Sequence, residues 1–123
     1  MQTAASVLQD FYGAISRRDL SAARSYLADD MIYHGIFRTF HGADAYLAMF
    51  QSFLSFTERL DIKVVLSNGD DAAIFYEMKT TKPAPAVTFV GEWHQIRDGR
   101  IVAARAACDG RPFVSLFPDS GVH

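Results

Sequence analysis

The chain has almost no cysteine. Cys108 stands alone among 123 residues, so no internal disulfide framework exists and a reducing cytoplasm is the default compartment. Neither charge is in surplus: twelve Lys and Arg against fourteen Asp and Glu leave −2, which argues against a basic surface for nucleic acid or an anionic membrane. No apolar run nears the roughly 18 residues of a membrane span, and the first ten residues lack the basic start and apolar stretch of a signal peptide. Nucleotide-phosphate loops of the GxGxxG or GxxxxGKS/T type are missing, as are HxH and HExxH spacings, so neither a cofactor nor a metal is expected.

What the chain does have is apolar and aromatic bulk. Half of it is apolar, and ten Phe with five Tyr demand a core. The length bounds it to one domain, 1–123, that buries roughly 65% of its unfolded surface. The last residues, 119–123, read as a loose tail.

Periodicity orders the elements. Ala4, Leu8, Phe11 and Ile15 recur at helical spacing over 3–18, and Asp19 can cap a shorter helix over 20–28 striped by Leu20, Ala23 and Leu27. Strand formers fill 31–37. Gly42-Ala43-Asp44 then opens a third helix in which Leu47, Phe50 and Leu54 share a face. Leu60, Ile62, Val64 and Leu66 alternate with their neighbours, as a strand requires, and Asn68-Gly69-Asp70-Asp71 is a hairpin turn into a strand over 72–81. Two prolines make 82–86 a loop, and strands over 87–97 and 100–108 flank the tight turn Asp98-Gly99. From Asp109 onward there is little pattern. Helices followed by hairpin-joined strands predict an α+β fold, with the helices on one face of an antiparallel sheet.

Several local motifs fit this order. They are Phe11-Tyr12 in the first helix, Asp19-Leu20, Leu27-Ala28-Asp29-Asp30, Gly42-Ala43-Asp44-Ala45-Tyr46, and the run from Trp93 to Val102 across the last hairpin. With these motifs the chain resembles the nuclear transport factor 2-like superfamily, especially its SnoaL-like, polyketide cyclase-like branch, over nearly its whole length. The resemblance implies a cone-shaped α+β barrel, a curved sheet wrapped around three N-terminal helices with an apolar pocket between. It also implies that Tyr33, Gly35, Tyr76, Met78, Thr80, Glu92, His94, Ala104, Ala106 and Cys108 point inward from the strands and Phe11 from the first helix.

Related activities are carried over residue by residue. Ketosteroid isomerases place a base where Gly35 stands and a tyrosine where Phe11 stands, so only Glu92 has an equivalent; Tyr12 lies about 100° around the helix from Phe11, out of that geometry. Limonene epoxide hydrolases need charged residues where Tyr76, Met78 and Ala106 stand, although Tyr33 matches their first-strand tyrosine. Scytalone-type dehydratases use a His, Asp and Tyr inventory comparable to Glu92, His94, Tyr33 and Tyr76 in another arrangement.

Glu92 and His94 are two apart on one strand and must share a face. One reading makes them an acid/base pair, with Tyr33 as a further catalytic group and Tyr76, Met78, Phe11, Phe50, Ala106 and Cys108 holding the substrate. The other makes them a structural hydrogen-bonded pair in a polar wall. As an enzyme the chain would isomerise, cyclise or dehydrate a cyclic or polyketide-like molecule; the alternative is a non-catalytic ligand-binding or protein-association domain. The opposite sheet face carries Phe75, Phe89 and Trp93, too much aromatic surface to leave wet, so a homodimer through that face is expected. His34 should face helices or the subunit edge, and His41 solvent.

Overall fold

The computed structural model describes residues 3–117; the tail expected at 119–123 lies outside them. Thr3 starts α1 (Ala4–Ser16) with a capping box. Its hydroxyl accepts from the Ser6 amide at 3.0 Å, and the Ser6 hydroxyl accepts from the Thr3 amide at 3.1 Å. Asp19 caps α2 (Leu20–Arg24) as predicted, accepting from the Ala22 amide at 3.0 Å. This helix stops at Arg24 rather than 28, because Leu27 already belongs to β1 (Leu27–His34), where it pairs with Ile101. Sheet pairing overrides the helical stripe read from Leu20, Ala23 and Leu27.

β1 turns through Gly35, whose N–H donates to Arg38 O, into β2 (Thr39–His41), a short strand that sequence reasoning did not foresee. Gly35 therefore sits in the turn rather than on the strand. α3 (Ala43–Leu54) follows, then β3 (Thr57–Asn68), β4 (Asp71–Thr80), β5 (Ala86–Arg97) and β6 (Arg100–Cys108), joined through the two expected hairpin turns and the proline-bearing loop. The sheet order is β2-β1-β6-β5-β4-β3. The pairing is antiparallel throughout except between β1 and β6, which run parallel, a correction to the all-antiparallel expectation. The long connection from β1 through α3 and four strands allows that parallel return.

The strand alternation also breaks where periodicity predicted one face for β3. Ile62 pairs with Tyr76 and Val64 with Phe75, so Lys63 is an extra residue, a β-bulge. Past it the faces exchange: Val65 packs inward, while Val64 and Leu66 are exposed on the outer face.

α1 lies against the concave face of the curved sheet and buries Ala4, Val7, Leu8, Phe11, Tyr12, Ala14 and Ile15. Between Ala14 and Tyr12 that is an arc of about 160° at 100° per residue, wider than one apolar stripe. Burying each of the larger side chains contributes about 2–3 kcal/mol. The patternless C-terminus forms a 3₁₀ segment, Arg111–Leu116, whose Phe113 is buried. Asp109 anchors its start by accepting from the Arg111 amide at 3.1 Å and from its guanidinium. Gly110 allows the close passage, since a Cβ there would meet Ile36 Cδ1 at 2.7 Å.

Candidate active site

Alternation along β5 sends Thr88, Val90, Glu92 and His94 inward and Val87, Phe89 and Trp93 outward. Small residues on β6 make room for the two large polar side chains: Ala106 pairs with Glu92 and Ala104 with His94. Glu92 is 4% exposed and His94 0%, so hydrogen bonds must replace the water each has lost.

Three donors converge on Glu92. Tyr76 Oη donates to Oε2 at 2.8 Å, His94 Nε2 lies 2.8 Å from Oε1, and Tyr12 Oη donates to the same Oε1. His94 Nδ1 is buried with no partner. A proton there would have no acceptor, so the imidazole proton belongs on Nε2, facing the carboxylate. Glu92 then accepts three hydrogen bonds, and Oε2 keeps room for one more. Burial first, and the Glu92 charge second, hold the hydroxyls of Tyr33, Tyr46 and of the donors Tyr12 and Tyr76 well above the usual tyrosine range, as neutral donors.

Glu92 lies on a largely apolar cavity of about 70 Å³. Of the residues expected to meet there, Tyr33, Tyr76, Met78, Phe50, Ala106 and Cys108 all line it. His94 does not: it lies behind Glu92. Phe11 does not either, and packs in the core at 5.2 Å from the Tyr12 ring and 6.0 Å from those of Tyr46 and Phe50. Tyr12 corrects the sequence reading in the other direction, because the wide buried arc of α1 admits both Phe11 and Tyr12. Its signal was its spacing, four residues after Leu8 and three before Ile15. Tyr46 is the other buried hydroxyl missed; its ring centroid is 4.6 Å from that of Tyr33.

The remaining wall comes from the loop after β1 (Ile36, Phe37), the end of α3 (Met49, Phe53) and Phe113 of the 3₁₀ segment. Tyr33 lines the cavity with no hydrogen-bond partner for its hydroxyl among the described residues. The Cys108 thiol is half-buried and pushed up to about 11 by burial and then by Glu92, so it is an uncharged wall rather than a nucleophile. His34 is half-buried on β1 with Nδ1 3.4 Å from the Thr39 hydroxyl, and His41 is exposed as expected. Among the described residues no three His, Cys, Asp or Glu side chains gather as a metal set, and no helix is long and apolar enough to cross a membrane.

Helices held in the concavity of a curved six-stranded sheet define the nuclear transport factor 2-like, or cystatin-like, fold. Within it the chain belongs to the SnoaL-like family, whose domain model matches residues 8–104. A solved protein from Kribbella flavida DSM 17836 is 23% identical with a TM-score of 0.84, over 94% of this chain and 93% of that one. IdmH from Streptomyces antibioticus, a candidate polyketide cyclase, is 16% identical with a TM-score of 0.78, over 93% and 97%. An LEH-like epoxide hydrolase of M. tuberculosis is 17% identical with a TM-score of 0.76, over 95% and 90%. Identities this low show a shared fold alone. No curated protein matches the sequence.

Proposed function

We propose that the cavity binds a small hydrophobic molecule and that Glu92 accepts a proton from it, in acid/base chemistry needing no cofactor. The observation that carries this reading is the free acceptor site on a carboxylate otherwise held by three donors at an apolar cavity. Glu92 takes a proton from a C–H beside a carbonyl, the bonding pair moves to the carbonyl oxygen, and the unpartnered Tyr33 hydroxyl donates to the enolate. Returning the proton to a different carbon completes an isomerisation. Attack of the enolate carbon on a second carbonyl, with the proton passing from Glu92 to the alkoxide formed, gives a cyclisation. Delivery of the proton to a β-hydroxyl expels water. His94, sharing the Nε2 proton with Oε1, steadies the carboxylate through the cycle, and Tyr76, Met78, Phe50, Ala106 and Cys108 shape the substrate.

The test is a thermal-shift screen of apolar carbonyl and hydroxyl compounds followed by turnover of those that bind. In Glu92→Gln, turnover should fall about 10²-fold or more. Full turnover in that variant refutes the assignment. The second reading, a non-catalytic binding domain, draws on the cavity's size: about 70 Å³ is small beside the roughly 300–1,000 Å³ of ligand pockets. It expects binding and no turnover in any protein.

A homodimer through the outer sheet face belongs to the same proposal. Val64, Leu66, Val87, Phe89 and Trp93 are each 40% exposed or more, and the Phe75 and Phe89 rings stack at 6.1 Å. Gly91 keeps the space under Phe75 open, where a Cβ would come within 3.0 Å of the ring. A patch of this kind is what a second copy covers. Sedimentation equilibrium should give a dimer that Phe89→Asp converts to a monomer, and a monomeric wild type refutes it. The lone thiol fits the reducing cytoplasm as the compartment.

A further inference from the structure

We infer that the occupant of the cavity carries a positively charged nitrogen, as an amine or a protonated nitrogen heterocycle on a small apolar body. The inference rests on reading the cavity as a ligand site and names the charge of what fills it. It starts from an imbalance. The Glu92 side chain is 2% exposed, and its only ion-pairing partner among the described residues is His94. His94 turns Nε2 to the carboxylate, and its buried Nδ1 has no acceptor for a second proton. Tyr12 and Tyr76 are neutral donors. The carboxylate is thus hydrogen-bonded, with no Lys or Arg against it.

Nothing else at the cavity supplies the missing charge. Its lining contains no Lys or Arg. Arg18, near its rim, is committed to the carbonyls of Leu54 and Thr57 at 2.7 Å each. Buried carboxylates are ordinarily matched by a cation, because hydrogen bonds alone leave the net charge in a poor dielectric. An anionic ligand would add to the imbalance, and a neutral one would leave it.

The walls suit the same occupant. Tyr33, Phe37, Phe50, Phe53, Tyr76 and Phe113 line the cavity, and aromatic faces attract cations through their quadrupoles, most strongly where water is excluded. One carboxylate among six rings is a recognition set for an ammonium group. The ammonium group lies against the ring faces beside the carboxylate, and the rings take the alkyl or aryl body.

The experiment compares molecules of equal shape and different charge. Wild type at pH 7 is titrated with tert-butylamine against tert-butanol and with benzylamine against benzyl alcohol, by calorimetry and by backbone amide shifts. The amine of at least one pair should bind about tenfold or more tightly than its alcohol, with shifts centred on Glu92 and Ala106. In Glu92→Gln the preference should fall to about threefold or less. If that variant does not fold, the wild-type shifts decide: perturbation confined to surface carboxylates overturns the inference. Alcohols binding as tightly as amines overturn the charge inference and leave the ligand site standing. Binding by no member of either pair overturns both.

Discussion

Replacing Tyr12 by Phe tests whether Glu92 is held as a charged acceptor. The substitution removes one oxygen and keeps a ring that packs edge-on to Phe11 at 5.2 Å and to Phe50 at 6.1 Å, so little cavity opens. What is lost is a hydrogen bond to a buried carboxylate, worth about 1.5–3 kcal/mol. Glu92 retains Tyr76 and His94, so the loss should sit near the middle, about 2 kcal/mol. For a domain of this length that lowers Tm by roughly 6–10 °C. The discriminating measurement is a double-mutant cycle by urea unfolding. In a Glu92→Gln background the lost partner is a neutral amide oxygen, and Tyr12→Phe should cost about 1 kcal/mol, leaving a coupling of about 1 kcal/mol. A cost under about 0.5 kcal/mol in wild type, or equal costs in both backgrounds, would refute the charged-acceptor reasoning.

Alkaline titration should separate the tyrosines. Tyr12, Tyr33, Tyr46 and Tyr76 have their folded pKa raised by burial and then by Glu92. Their contribution to stability is therefore complete below the unfolded value of about 10 and is lost as pH climbs toward the folded values. Tyrosinate absorbance from these four should appear together with loss of circular dichroism; their ionisation in an intact fold would refute the assignment. Phe113→Ala removes a buried ring that packs on Phe53 at 5.6 Å. It should lower stability by up to about 3 kcal/mol, less if the 3₁₀ segment detaches locally, and admit larger ligands in the thermal-shift screen. An unchanged ligand size range would show that Phe113 does not bound the cavity.

Much of this site was legible because β-strand geometry has a period of two. Once Trp93 faces out, Glu92 and His94 face in, and β6 must answer with residues small enough to sit opposite, as Ala104 and Ala106 do. The inward placement of Tyr33, Tyr76, Met78 and Cys108 was what the family resemblance implied, and all four line the cavity. Helical spacing was less decisive. A stripe through Leu8, Phe11 and Ile15 identifies the centre of the buried face of α1 but not its width. That width depends on how far the sheet curls around the helix, so Tyr12 looked displaced although it is fully buried, at the edge of that arc.

The features that escaped sequence reasoning share a physical cause: each is decided by a contact distant in the chain. α2 ends early because Leu27 finds Ile101. The C-terminal segment folds because Phe113 packs on Phe53, with nothing periodic in its own sequence. The bulge at Lys63 is the clearest case, for the apolar alternation from Leu60 to Leu66 is real, yet one unpaired residue reverses its meaning. Val64 and Leu66 are carried from the cavity side to the outer face, beside Phe75 and Ala73. The same irregularity therefore turns Val65 to the core and enlarges the apolar patch proposed for the dimer.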